Sequence, residues 1–341
     1  MLKDPFAKNE VRIAVIGGGT GSFTMLSSLK DFTSQIAAIV SMADDGGSTG
    51  VLRDELGTLP PGDVRQCLVA LSDSPKIRSL FDYRFNEGTF SGHSFGNLLL
   101  TALEKVTGDF SEAVETASEI LRVNGVVVPA TLDNVRLQMA WPDKGSVVLH
   151  GERVIDAEYF KLDPRKANLS LTPTPKVNET AVAAIEQADI VVIAPGDLYT
   201  SLGPLLVIDG IGEALKKTRA LTLYVSNLVS KEGQTDGFTV SDHASEIERF
   251  AGTDFLDYVV YNDEIPSTEV AQLYREEGGY VTKVDLDVLK KAHYKAVGAP
   301  LLGKMASAHA ADVIPATRSL IRHDAIAVAK LILELYERER G

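Results

Sequence analysis

The chain has 341 residues, 45% hydrophobic and 24% charged, a globular composition long enough for one large domain or two ordinary ones. Its formal net charge of −13 argues against a nucleic-acid partner, because neutralising phosphates takes many lysines and arginines. The single cysteine, Cys67, excludes an internal disulfide and a cysteine-based zinc site.

The start, MLKDPFAKNE, is polar and carries no leader pattern, and no apolar run approaches the roughly 18–20 residues of a membrane span. A cytoplasmic protein with no membrane span is expected. Residues 11–16 are a short apolar run rich in β-branched side chains, which reads as a buried parallel strand. Gly17-Gly18-Gly19-Thr20-Gly21-Ser22 follows at once, and residues 23–29 have helical spacing. A second buried strand is expected over 36–42, ending in Ala43-Asp44-Asp45-Gly46-Gly47-Ser48-Thr49-Gly50. Strand, glycine turn, helix, strand is the opening of a doubly wound sheet.

Residues 62–119 read as mostly helical, in pieces broken by Pro75 and by Asn86-Glu87-Gly88. Residues 135–139 and 146–150 resemble strands joined through Pro142-Asp143-Lys144-Gly145, which predicts an antiparallel hairpin. Alternation then resumes with helix 179–187, strand 189–194, helix 203–217, strand 221–225, helix 243–250 and strand 258–261. An amphipathic helix over 324–338 closes the chain. The fold class expected is α/β, a Rossmann-like doubly wound, mostly parallel sheet with a small antiparallel insertion. It forms one domain over 1–341, with a first half at 10–130, the insertion at 131–176 and a second half at 177–341.

Glycines at a strand-to-helix junction let backbone approach a ligand, and the helix start presents unpaired N–H groups and a positive dipole end that suit phosphate. Gly17, Gly19 and Ser22 keep the dinucleotide spacing with serine as the third member, whereas no Gly-Lys-Ser/Thr follows for a Walker loop. Asp44 and Asp45 sit where such folds place the acid that holds a ribose hydroxyl, and two adjacent carboxylates are also a candidate Mg²⁺ site. A solvated turn would need fewer glycines and acids than the cluster through Gly46, Gly47 and Ser48 supplies. In Pro60-Pro61-Gly62-Asp63-Val64-Arg65 the default role of Asp63 is a helix cap, with Mg²⁺ binding as the alternative. Arg53 and Arg65 are the nearest cations for a phosphate. His93-Ser94-Phe95-Gly96-Asn97 opens another helix with Ser94 as its candidate cap.

Pro195-Gly196-Asp197-Leu198-Tyr199-Thr200-Ser201 again follows a buried strand and makes a second cradle of N–H and hydroxyl groups. Two cradles in different halves of one sheet favour a ligand lying across the switch point. Asn227 and Asn262 follow later strands, where they serve either as base or sugar readers or as plain turn residues. The six histidines have no close zinc spacing, and no G-x-S-x-G elbow supports a hydrolase triad.

These segments, together with Thr235-Asp236-Gly237, Ser241-Asp242-His243 and Arg322-His323-Asp324, resemble the YvcK-like branch of the CofD-like family from about Arg12 to the last helix. The CofD branch comprises 2-phospho-L-lactate transferases, which use Mg²⁺ and a guanosine diphosphate-linked donor. The YvcK branch comprises gluconeogenesis factors that affect cell shape and bind UDP-sugars. The resemblance implies a nucleotide site lined by Gly17 to Gly21, Asp44, Asp45 and residues 195–201, with Arg322 near the ligand. The PPGDVR and ADDGGSTG segments look like the YvcK branch.

Three readings follow. The first is a UDP-sugar-binding regulatory protein without turnover. The second is a metal-dependent transferase in which Asp44, Asp45 or Asp63 holds Mg²⁺ while cradles and arginines neutralise the diphosphate. An NAD-binding oxidoreductase is the third, disfavoured by the second cradle. No residue stands out as nucleophile or general base. The resemblance and the mostly apolar late helices are compatible with a homodimer.

Overall fold

Strands buried on both faces must be apolar throughout, and Ile13–Ile16 and Ile190–Ile193 are four buried apolar residues each. The computed structural model describes residues 11–144, 147–276, 279–303 and 322–340. The first half runs β1 (Ile13–Ile16), α1 (Gly19–Leu29), β2 (Ile36–Val40), α2 (Gly47–Leu56), α3 (Gly62–Leu71), α4 (Pro75–Asp82), α5 (Phe95–Thr107), α6 (Phe110–Leu121) and β3 (Val126–Pro129). The middle holds β4 (Arg136–Trp141), β5 (Val147–His150), α7 (Glu152–Ala157) and β6 (Asn168–Thr172). The second half continues with α8 (Glu179–Gln187), β7 (Ile190–Ile193), α9 (Gly203–Leu206), α10 (Ile211–Lys217), β8 (Leu221–Val225) and α11 (Val240–Ala251). It ends with β9 (Tyr258–Asn262), α12 (Thr268–Glu276), α13 (Leu286–Leu289), β10 (Lys295–Ala299) and α14 (Ala325–Arg340).

Seven strands form a parallel sheet in the order β10-β9-β8-β7-β1-β2-β3. Ile13 stands opposite Ile36 on one side and Ile190 on the other, so the direction of winding reverses between β1 and β7. Alternation of side chains feeds two cores. Ile13 and Val15 face α1, α3, α6 and α14, whereas Ala14 and Ile16 face α8, α10 and α11. Each large aliphatic side chain so buried contributes about 1.5–3 kcal/mol.

The insertion is a three-stranded antiparallel sheet in the order β5-β4-β6, one strand more than the expected hairpin. Its inward residues Leu137, Met139 and Trp141 join the same core as Ile16 and Ile193, and the Trp141 indole donates to the Asp163 carbonyl at 2.9 Å. The expected continuous helix over 203–217 is broken. Residues Leu198–Leu202 form a π turn, α9 follows, and Gly210 at φ 100° separates it from α10. The expected break at Pro75 falls between α3 and α4, and Pro75 itself begins α4, where its missing N–H costs nothing in the first turn. The second strand of the hairpin, expected over 146–150, is β5 from Val147, and residues 145–146 lie outside the described residues. Among the described residues no helix is long and apolar enough to cross a membrane.

Candidate functional site

Adjacent parallel strands that wind in opposite directions leave a crevice at their C-terminal ends, and β1 and β7 both end there in glycine turns. Gly19 opens α1 at φ 65°, a left-handed conformation that favours glycine. Gly21 is pressed against the second turn: a Cβ on it would fall 1.7 Å from the Pro195 carbonyl oxygen. The two cradles are therefore in contact and face one space. Gly196 in the second turn is clamped by Asn227, whose Nδ2 donates to the Gly196 carbonyl at 2.8 Å and whose Oδ1 accepts from the Gly196 N–H at 3.3 Å. The buried Tyr224 hydroxyl donates to the same Oδ1 at 3.2 Å. Asn227 thus positions backbone rather than presenting a free amide.

The shared space is a cavity of about 630 Å³. Of the residues expected at the site, Gly18, Gly19, Thr20, Gly21, Asp44, Asp63, Pro195, Gly196, Asp197, Thr200, Ser201, Asn227 and Arg322 line it. Asp63 accepts from the Gly19 N–H at 3.1 Å, so its carboxylate lies against the positive end of α1. Asp44 accepts from the Gly46 N–H at 2.8 Å, and burial raises its carboxyl above the ordinary range. Glu152, from α7 of the insertion, shares the floor. A Cβ on Gly46 would lie 3.4 Å from Asp44 Oδ1 and 3.6 Å from Glu152 Oε2, so both carboxyls border one point. Burial, then Asp44, Asp156, Asp45 and Asp63, push the Glu152 carboxyl up to about 9.

Lysine and arginine each reach this acidic cavity once among the described residues, as Lys231 and Arg322. Lys231 Nζ pairs with Asp156 of α7 and, at 3.3 Å, with Asp197 of the second turn. Thr200 Oγ1 also donates to Asp156, at 3.3 Å. Arg322 Nε is buried and meets no hydrogen-bond acceptor among the described residues. Its neighbour His323 donates Nε2–H to the Ser226 carbonyl at 3.1 Å, and burial pushes the imidazole down to about 4, so it is neutral.

The remaining expected residues are not brought to the cavity. Gly17 completes β1, its N–H donating to the Ile39 carbonyl at 3.1 Å, and Gly46 and Gly47 start α2. Asp45 pairs with Arg136 at 3.1 Å and accepts from the Arg153 N–H at 2.8 Å, tying the loop after β2 to the insertion. Arg53 donates to Asn134 Oδ1 at 2.8 Å and to the Val135 carbonyl. Arg65 donates to Asn97 Oδ1 at 3.0 Å and pairs with Asp82 at 2.5 Å. Asn97 Nδ2 donates to Ser48 Oγ at 3.1 Å, and Ser94 caps α5 by accepting from the Asn97 N–H at 3.2 Å. The buried Tyr199 hydroxyl donates to Glu246 Oε2 at 3.0 Å. Asn262 bonds the backbone of Glu264 and Leu301 at the end of β9. For the polar side chains the physical reason is shared: a buried polar group takes the nearest protein partner, whereas the glycines are placed by the strand end and the helix start.

Among the described residues no group of three or more His, Cys, Asp or Glu side chains is spaced to hold a metal. Asp45 is drawn off by Arg136. Asp44 and Glu152 are two carboxyls bordering one point, and Mg²⁺, which takes one or two carboxylates with ligand and water, would have to displace the proton that burial and the neighbouring acids keep on Glu152. Sequence reasoning did not find Glu152, Asp156 or Lys231. The one available signal for Lys231 was its place after β8, at the same sheet edge as the two turns.

The family described as 2-phospho-L-lactate transferase CofD matches residues 13–302. The gluconeogenesis factor of Bacillus subtilis is 37% identical over 334 residues, which cover 95% of this chain and 98% of that one. The gluconeogenesis factor of Listeria monocytogenes is 34% identical over 327 residues, 95% of each chain. The crystal structure of a UPF0052-family protein from Bacillus halodurans superposes with a TM-score of 0.85 at 36% identity, covering 96% of this chain and 100% of that one. With the sheet, the reversal point and the paired glycine turns in place, the chain belongs to the CofD family, in its gluconeogenesis factor branch.

Proposed function

We infer that the chain binds a nucleoside diphosphate-linked ligand, a UDP-sugar, and acts as a regulatory protein of central carbon metabolism and cell shape. The observation that carries this reading is the contact of Gly21 with the Pro195 carbonyl, which opens the turns after β1 and β7 into one cavity. Backbone N–H groups of the two turns supply donors for a diphosphate, and Lys231 and Arg322 supply the charge. The buried Arg322 Nε, without an acceptor among the described residues, suits an anionic oxygen.

A second reading, an Mg²⁺-dependent transferase, is favoured by Asp44 and Glu152 bordering one point in an acidic floor. When bound, Mg²⁺ would neutralise charge developing on a diphosphate leaving group. Asp44 and Glu152 would hold it, and Asp63 would keep the start of α1 in place beside it.

Calorimetric titration with UDP-sugars, GDP and NAD, each with and without Mg²⁺, tests both. Tight UDP-sugar binding without turnover is expected under the first reading. Mg²⁺-dependent release of GDP or GMP in the presence of an acceptor would replace it with the second. Binding of NAD alone would exclude both.

A further inference from the structure

Lys231 stands in the loop after β8, and its Nζ is shared between Asp156 of α7 and Asp197 of the turn after β7. All three residues line the cavity at the β1–β7 junction, so a cation offered to a diphosphate there is already held by two carboxylates. The loop backbone is fixed to the insertion independently of the Lys231 side chain. Gln234 Nε2 donates to the carbonyls of Ile155, at 2.7 Å, and Asp156, at 3.2 Å, closing the end of α7. The Phe160 N–H donates to the Gly233 carbonyl at 2.8 Å. An ammonium on a flexible stem can therefore change partners while its own backbone stays in place.

Two ion pairs join the insertion to loops at the sheet edge, and burial sets them apart. Asp45, paired with Arg136, has a side chain only 8% exposed, so losing that cation would strand a carboxylate out of water. Asp156 and Asp197 are 45% and 47% exposed, so water takes over when Lys231 leaves them. A phosphate oxygen offers Lys231 a charge-assisted bond of the same kind, and a diphosphate carries more charge than either acid. The Asp45 pair is a permanent tie, and the Lys231 bridge is an exchangeable one.

We propose that the Asp156–Lys231–Asp197 bridge is an internal latch: the two acids hold Lys231 in the ligand's stead, and an anionic ligand opens the latch by taking Lys231 from them. The proposal rests on the nucleotide reading above and adds to it a means of regulation. Part of the binding free energy is spent on breaking the bridge, so affinity is lower than the same contacts would give with Lys231 unengaged. Once the latch is open, Asp156 retains the Thr200 hydroxyl as its bond to the turn after β7. Helix α7 is thereby loosened, and with Val154 on its outer side 50% exposed, occupancy of the cavity is carried to the molecular surface.

The test is calorimetric titration of the full chain with UDP and UDP-glucose, together with hydrogen exchange of residues 152–158. It compares the wild type, Asp156→Asn, Lys231→Met and the double variant. Asp156→Asn is expected to bind UDP about three- to five-fold more tightly than the wild type, because one acid competing for Lys231 is gone. With Lys231→Met already in place, the same change should give no gain. Asp197→Asn removes the other acid, carries the same expectation and serves if Asp156→Asn misfolds. Unchanged or weaker binding by both asparagine variants would overturn the latch, since a purely structural bridge gives that sign. A gain that persists in the Lys231→Met background would overturn it as well, by making Asp156 a plain source of repulsion. If Lys231→Met binds too weakly to titrate, exchange decides. Without ligand, the α7 amides should exchange faster in Lys231→Met and Asp156→Asn than in the wild type, and rates equal to the wild type would reject the latch. A wild type that binds neither UDP nor UDP-glucose would instead overturn the nucleotide reading, and the latch with it.

Discussion

A methyl group at Gly21 would sit 1.7 Å from the Pro195 carbonyl oxygen, and the obstacle is backbone rather than a side-chain end that could swing aside. Gly21→Ala must therefore push α1 away from the turn after β7. We expect a cost of about 1–3 kcal/mol in unfolding free energy, with at least ten-fold weaker nucleotide binding. A variant that melts and binds as the wild type does would show that the two turns do not touch. His323 sets a different constraint, since its imidazole stays neutral in the fold down to about pH 4 while an unfolded histidine protonates near 6.5. Above pH 6.5 both states are neutral and the group contributes nothing to pH dependence. Between 6.5 and 4 only the unfolded chain takes the proton, so stability falls by up to about 1.4 kcal/mol per pH unit. His323→Gln should flatten that part of the stability curve in urea titrations at pH 7, 5.5 and 4.5. Parallel curves for variant and wild type would reject the assignment.

Helix α5 tests whether the His93 to Asn97 segment is structural or belongs to the ligand site. Ser94 caps the helix, and Asn97 bridges Arg65 and Ser48 beneath it, so the segment is a joint between α2, α3 and α5. Ser94→Ala is expected to cost about 1 kcal/mol of stability and to leave nucleotide affinity as it was, read by denaturation and titration side by side. A selective loss of affinity would return the segment to the site. The same distinction explains how far the sequence could be read. Strands β1, β2 and β7 were legible because a strand covered on both faces is an unbroken apolar run, and β8 is interrupted by Thr222 alone. Strand β10, Lys-Ala-Val-Gly-Ala at the sheet edge and only partly buried, carries no such run. Helix α7 is six residues long, too short for a helical period to register, and so Glu152 and Asp156 stayed hidden. The glycine turns announced themselves by composition. Arg53, Arg65, Asn97 and Tyr199 have chemistry equally suited to a ligand or to a buried network, and which one wins depends on tertiary neighbours that spacing does not encode.

At the scale of the whole molecule, the insertion and the parallel sheet share one core. Leu137, Met139, Trp141 and Leu171 of the small sheet lie in the same cluster as Ile16, Ile39 and Ile193 of the large one. Ion pairs cross the same boundary, from Asp45 to Arg136 and from Asp156 to Lys231. A segment that unfolded alone would expose its own apolar residues and those of the large sheet they cover, and leave Asp45 without its cation. Local opening is cheap only where few apolar contacts are lost, and here many are. The insertion should therefore unfold with the rest of the chain. Trp141 is the one tryptophan in the sequence and sits in the insertion, so its fluorescence reports the small sheet, whereas far-ultraviolet circular dichroism reports all helices and strands. In urea the two signals should trace coincident transitions with the same midpoint, as one cooperative unit requires. Nucleotide bound at the β1–β7 junction should move both midpoints upward together, by about 2.7 kcal/mol in unfolding free energy when ligand stands at a hundred times its dissociation constant. A tryptophan transition that precedes the dichroism transition would instead make the insertion a separate folding unit. In that case Glu152 and Asp156 would leave the cavity whenever it opened.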